Sequence, residues 1–503
     1  MIRGGNMLFN SIQFLLFFPI VVLIFFLIPG RFQYIWLLVA SYYFYMCWNA
    51  KYALLLLFST VATYLSGYFL QKIRDSIEDE TCRRRRMNMC VAICFVMNLG
   101  ILFYFKYFNF ALANVNRALN LVHINVQVPL FDIVLPVGIS FYTFQALSYT
   151  IDVYRGEIRA EKNFLRYALF VSFFPQLVAG PIERSKNLLW QLREEHKFNY
   201  DNFRDGIYLM LWGYFLKLVL ADRIALFVDK VYGNYEWYNG VYLIAATVLF
   251  AFQIYCDFAG YSTIAIGAAK IMGFELMENF NAPYLASNVA DFWRRWHISL
   301  SSWFRDYLYI PLGGNRKGTA RKYFNLLVVF AVSGLWHGAN WTFVIWGTLN
   351  AVYQIIGSIF KKIKKAAGLC KDRVEHISDR VLKIVATFVL VDFSWIFFRA
   401  QDLHEALQII KSMITSHNWW ILFDDSLTCL VITRKNFMVM MFGIFVLLAA
   451  DILKYKGICV RKQIMQQAFW FRYCVIVGAV WFILVFGIWG PSYNAANFIY
   501  FQF

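Results

Sequence analysis

The chain has 503 residues, 60% of them apolar and only 16% Asp, Glu, Lys or Arg, against about a quarter charged in soluble domains. A water-facing surface cannot be built from that, so ordinary soluble enzymes, disordered tails and coiled coils are excluded, and 17 Trp, 31 Tyr and 52 Phe point to lipid as the main solvent. The net charge of +18 is concentrated in residues 71–88, 291–322 and 361–383, which hold 21 Lys and Arg against nine acids. Such short basic stretches between apolar spans follow the positive-inside rule, which predicts that they face the cytoplasm and that no nucleic acid is bound.

In chain order, apolar runs long enough to cross a membrane occupy residues 8–28, 34–50, 52–70, 89–108, 133–151, 205–230, 239–256, 324–340, 341–360, 381–398, 436–454 and 472–490. The fold class expected is therefore all-α: a single polytopic domain over 1–503 with about 11 to 13 membrane helices plus re-entrant or interfacial ones. Three crossings precede the basic stretch at 71–88, which puts the N-terminus outside, and a lone Arg3 with no small-residue cleavage site predicts a retained first span. Residues 133–151 and 164–182 are apolar but irregular, carrying Pro136, Gly138, Gln145, Pro175, Gln176, Gly180 and Pro181. Broken backbone at membrane depth is tolerated only when buried in protein or lining a cavity. Nine scattered Cys with no CxxC pair suggest neither a disulfide framework nor a metal site.

Residues 291–322 are too charged to span and too aromatic for a solvated linker. Turned at about 100° per residue, Trp293, Trp296, His297, Leu300, Trp303, Phe304, Tyr307 and Leu308 share one arc of about 140°, with Arg294, Arg295, Arg305 and Asp306 opposite. This predicts one amphipathic helix lying at the cytoplasmic interface. His297 falls on its aromatic side, where burial would keep an imidazole neutral and fit to accept a proton, although a structural role is also compatible. The sequence GGNRKGT (313–319) lacks the lysine and preceding strand of a phosphate loop and is expected to be a basic turn. His337 stands in the apolar FAVSGLWHGANW, flanked by Gly334 and Gly338, and an ionisable residue inside a span points to function. Asp257, Asp392 and Asp451 are further intramembrane acids; Asp257, in YCDFAGYS, is the best placed to orient a histidine. The remaining five histidines lie in polar contexts.

The succession LPVGISFYTFQ (135–145), FFPQLVAGPIER (173–184), YCDFAGYSTIAIG (255–267), NFNAPY (279–284), FWRRWHISLSSWFRDYLYIPLGG (292–314) and LWHGANWTFVIWG (335–347) resembles the membrane-bound O-acyltransferase (MBOAT) family. It looks most like the bacterial alginate O-acetylation branch, with MLFNS at Met7–Ser11 and WIFFRA at Trp395–Ala400. The resemblance implies a ring of helices around a thin central partition with funnels from both faces. It implies a catalytic core at about 130–400 with a C-terminal helical extension from 401 to 503. By the same resemblance His337 matches the catalytic histidine and His297 the second site position, with Trp293, Arg294, Trp336 and Asp257 as candidate substrate-binding residues. The activity implied is transfer of a short acyl group, acetyl in this branch, across the cell membrane to an extracellular or periplasmic polysaccharide. The donor would be a cytoplasmic thioester, acetyl-CoA or an acyl carrier protein, with no bound cofactor and no metal. An SGNH-hydrolase-like partner outside the membrane would complete O-acetylation. A D-alanyl transferase acting on teichoic acids is the nearest alternative, and the residues beyond Ala400 argue against it. A polysaccharide transporter or a scaffold is the alternative from another class, disfavoured by the absence of a visible inverted repeat.

Overall fold

The computed structural model describes residues 7–124, 126–178, 180–368, 376–489 and 499. Arg3, on which the expectation of a retained first span drew, and residues 369–375 of the third basic stretch lie outside them. Each of the twelve apolar runs falls on helix, and no strand occurs among the described residues. Among the described residues, seven helices are long and apolar enough to cross a membrane: Tyr52–Ser76, Glu80–Leu121, Val241–Ile271, Trp341–Ala366, Ile377–Arg399, Arg434–Tyr455 and Phe469–Phe486. The other runs form shorter helices such as Ile12–Leu27 and Gly30–Met46, the nearly wholly buried Ile139–Arg155, the helix pair interrupted by a π turn at Phe215–Ala221, and Gly318–His337, whose first turns carry Arg321 and Lys322. The chain is an all-α, multi-pass membrane protein.

The chain forms two compact units, Met1–Met210 with Ile264–Met277, and Leu211–Thr263 with Glu278–Phe503. In the first unit, Tyr52–Ser76 packs on Glu80–Leu102 and Ile139–Arg155. Gly67 makes room for the Tyr149 ring, which a Cβ would approach to 2.6 Å. The irregular 164–182 stretch is broken, as its prolines require, into Phe164–Ser172 and the single turn Phe174–Leu177. The Phe170 carbonyl, orphaned at the first helix's end, accepts from the buried side-chain amides of both Gln145 and Gln176. Those glutamines are therefore polar because the broken backbone beside them needs donors. Glu183 likewise accepts the Met277 N–H and the Asn187 side-chain amide, and burial raises its carboxyl above the usual range.

The second unit is organised around the hairpin of Gly318–His337 and Trp341–Ala366. Small residues let these two helices approach backbone to backbone. A Cβ on Gly334 would stand 2.1 Å from the Phe343 carbonyl oxygen, and one on Gly347 2.1 Å from that of Phe330. Neither obstacle is a flexible side chain, so the helices would have to part. Gly347→Ala is expected to destabilise the protein by about 1–3 kcal/mol, as overpacking does, and to lower its melting temperature in detergent. An unchanged melting curve would contradict this packing. Arg434–Tyr455 and Phe469–Phe486 also pack in this unit, against the π turn at Phe215–Ala221.

Candidate active site

The structure corrects the expected continuous amphipathic helix. Val289–Arg295 and Ile298–Phe304 are separate seven-residue helices, and His297 between them adopts the left-handed conformation, φ 43° and ψ 55°. Periodicity runs unbroken through this point; the turn is imposed by tertiary partners. The Asn279 carbonyl accepts the Ile298 N–H at 3.0 Å, its side-chain oxygen accepts the Ser299 N–H at 3.2 Å, and its amide donates to Ser262 Oγ. One residue upstream of the turn, the Arg295 carbonyl accepts the Asn281 N–H at 3.0 Å. The segment is also buried in protein rather than laid on an interface: Trp293, Trp296, Trp303 and Phe304 are all buried. A non-glycine residue at positive φ costs on the order of 1 kcal/mol and persists where the surroundings over-determine it.

That turn directs His297 inward. Its ring is fully buried, 4.6 Å from Phe258, 6.1 Å from Trp336 and 6.4 Å from His337 between ring centroids. His297 lies outside the seven candidate spans, and burial pushes its imidazole down to about 3, which keeps it neutral. His337 is the last residue of its helix and 4% exposed. Its ring meets Trp336 at 5.0 Å, Trp346 at 5.1 Å and Phe398 at 5.5 Å. Gly338 follows because a Cβ there would lie 2.1 Å from the Phe343 ring.

Of the remaining sequence candidates, Trp336 is brought beside both histidines. Trp293 lies one ring further out, 5.6 Å from Trp346, with its indole N–H donated to Asn350 Oδ1 at 3.2 Å. Arg294 is exposed. Asp257 does not orient a histidine: its two oxygens are engaged by Lys217 Nζ at 2.6 Å and the Ile499 N–H at 2.8 Å. Lys217 also pairs with Asp222 at 2.8 Å. The neighbour in sequence, Phe258, is what packs on His297. Among the described residues no three His, Cys, Asp or Glu side chains converge in a metal-holding group.

Sequence reasoning missed Lys217, Asn279 and Trp346. A lysine in the middle of FLKLVLADR, five residues before Asp222, was a signal for a buried ion pair. Nothing local marks Asn279 as the brace of a turn nearly twenty residues away.

The arrangement offers two neighbouring imidazoles in a buried aromatic enclosure, suited to moving a proton away from bulk water. Residues 157–390 match the model of the MBOAT, membrane-bound O-acyltransferase family. The chain is 39% identical over 417 residues to the probable alginate O-acetylase AlgI of Pseudomonas aeruginosa, covering 82% of this chain and 76% of the relative. It is 34% identical over 445 residues to a peptidoglycan O-acetyltransferase of Helicobacter pylori, covering 82% and 81%. It is 30% identical over 290 residues to a teichoic acid D-alanyltransferase of Bacillus subtilis, covering 53% and 69%. The chain is thus an enzyme of the membrane-bound O-acyltransferase family.

Proposed function

We propose that this enzyme moves an acetyl group from a cytoplasmic thioester, acetyl-CoA or an acetylated carrier protein, to a hydroxyl on the far side of the membrane, for O-acetylation of a polysaccharide. The observation that carries the reading is the convergence of His337, at the end of its helix, and His297, in the turn between two short helices, at 6.4 Å with Trp336 beside both. His337 takes the acceptor hydroxyl's proton as its oxygen adds to the thioester carbonyl. The C–S bond then breaks, and the thiolate leaves with that proton as a thiol. Neutral His297 orients the reactants through one ring nitrogen.

The direction of transfer is supported by charge. Gly318–His337 starts beside Arg316 and Lys317, and Trp341–Ala366 ends in Lys361–Lys365. With the basic ends in the cytoplasm, the helix rise places His337 about 30 Å away, near the opposite face. The same rule puts the N-terminus outside a cell membrane crossed several times. The basic ends would draw an anionic donor toward the cytoplasmic face. An SGNH-hydrolase-like protein outside the membrane is the acceptor partner that completes the pathway.

Acetyl is favoured over D-alanyl because the relatives matched over 82% of this chain include O-acetylases, whereas the D-alanyltransferase match spans 53%. Competition decides between them. Membranes supplied with equal amounts of acetyl and D-alanyl thioesters should place acetyl on the acceptor, and preferential D-alanyl transfer would refute the assignment.

A further inference from the structure

The buried polar atoms near the histidines that have no hydrogen-bond partner among the described residues include Ser299 Oγ, Thr342 Oγ1 and Trp346 Nε1. Their residues are at most 1% exposed. The two hydroxyls rotate and can turn back on a carbonyl one turn earlier. An indole N–H has no such freedom, because its direction is fixed by the ring. The Trp346 ring is packed against Trp293 at 5.6 Å, Trp395 at 5.5 Å, Phe398 at 5.0 Å and, perpendicular to it, His337 at 5.1 Å. The backbone beneath is equally fixed, since Gly347 abuts the Phe330 carbonyl. Trp293, in the same aromatic stack, shows the ordinary solution: its N–H donates to Asn350 Oδ1.

A buried donor left without an acceptor costs about 1–3 kcal/mol, and each such group in a folded protein calls for an explanation, a catalytic role being one. We propose that the Trp346 indole N–H is the hydrogen-bond donor to the thioester carbonyl oxygen, and to the oxyanion that oxygen becomes, making Trp346 a catalytic residue beside His337. The inference rests on the acyl-transfer reading of the site. In the addition step the acceptor oxygen bonds to the carbonyl carbon, its proton passes to His337, and the carbonyl π electrons move onto the oxygen that Trp346 holds. When the oxyanion collapses, the carbonyl re-forms, the C–S bond breaks, and the sulfur leaves with the proton from His337. No electrons are exchanged with an outside donor. A preorganised donor aimed at developing charge is worth most in such a water-excluded place.

Trp346→Phe keeps an aromatic ring and removes the N–H. It should lower kcat for acetyl transfer by about 10²- to 10³-fold, the effect of deleting one oxyanion donor, with KM for the thioester near the wild-type value. A merely structural role would instead reduce the amount of folded enzyme with kcat per folded molecule retained. As a second measurement, the carbonyl of a ¹³C-acetyl thioester bound to the wild-type enzyme without acceptor should shift downfield of its position in water. Wild-type kcat in Trp346→Phe, or an unshifted carbonyl in the wild-type enzyme, overturns the proposal. If Trp346→Phe does not accumulate, the carbonyl shift decides alone. Full activity in Trp346→Phe together with loss of activity in His337→Ala sinks the role of Trp346 and leaves the acyl-transfer reading standing. A wild-type protein that transfers no acyl group refutes that reading itself.

Discussion

His337→Ala is expected to abolish acetyl transfer while the protein continues to accumulate in the membrane. The rate effect follows from the step assigned to His337: general-base assistance contributes typically 10²- to 10⁴-fold, and the neighbouring imidazole of His297 is kept neutral by burial, with little affinity for a proton. Accumulation follows from position. His337 is the final residue of its helix, so alanine there keeps the helical backbone, and the walls of Trp346 and Phe398 remain braced by each other and by Trp395. Acetylated product and membrane abundance should be measured together. Product at the wild-type level removes His337 from the reaction, whereas parallel loss of product and protein makes it structural. His297 needs a different probe, because alanine is strained at φ 43°. Asparagine tolerates that region, so His297→Asn isolates the chemistry of the imidazole from the geometry of the turn.

Lys217→Met should cost about 3–5 kcal/mol and sharply reduce the folded protein recovered, the penalty for removing one member of a buried ionic group. Lys217 is 1% exposed and lies between Asp222 and Asp257, both buried. The three side chains sum to a single negative charge. Removing the lysine leaves two carboxylates facing each other in a medium that screens charge poorly. Removing Asp257 leaves a neutral Lys217–Asp222 pair, so Asp257→Asn is expected to be much milder, and the double variant Lys217→Met/Asp257→Asn to recover part of the loss. Melting temperatures in detergent should be lowest for Lys217→Met, higher for the double variant and highest for Asp257→Asn; equal effects for Lys217→Met and Asp257→Asn would show that the lysine is not the shared counterion. Because Phe258, beside Asp257, packs on His297, the cluster also steadies one wall of the candidate site.

These particulars show what is legible in the sequence. Membrane helices are written as apolar runs, so the order of residues alone places helix in each of the twelve runs, although only seven helices among the described residues are long and apolar enough to cross. His337 is legible for the same reason: one ionisable group stands out where polar residues are scarce. His297 is legible as a residue but not as a turn, because the aromatic periodicity continues across Trp296 and His297 while the backbone breaks on the distant Asn279. Asp257 is legible as a buried acid, yet its partner is not the histidine that its neighbours suggest. Charge pairing between Lys217 and Asp257 is set by how Gly260 and Gly213 let their helices approach, which no local pattern encodes. Trp346 is invisible among 17 tryptophans, since an indole at a membrane interface and an indole buried with an unused N–H are the same letter.

The central claim is that an acetyl group passes from a thioester on one face to a hydroxyl on the other by way of the histidine pair. Sealed vesicles carrying this protein with the basic loops outward, given ¹⁴C-acetyl thioester outside and a polysaccharide acceptor with the SGNH-like partner inside, test it directly. The expected result is label on the enclosed acceptor, dependent on His337 and absent when the donor is enclosed with the acceptor. Label appearing only on molecules outside the vesicles, or no label with donor and acceptor both present, would contradict the account.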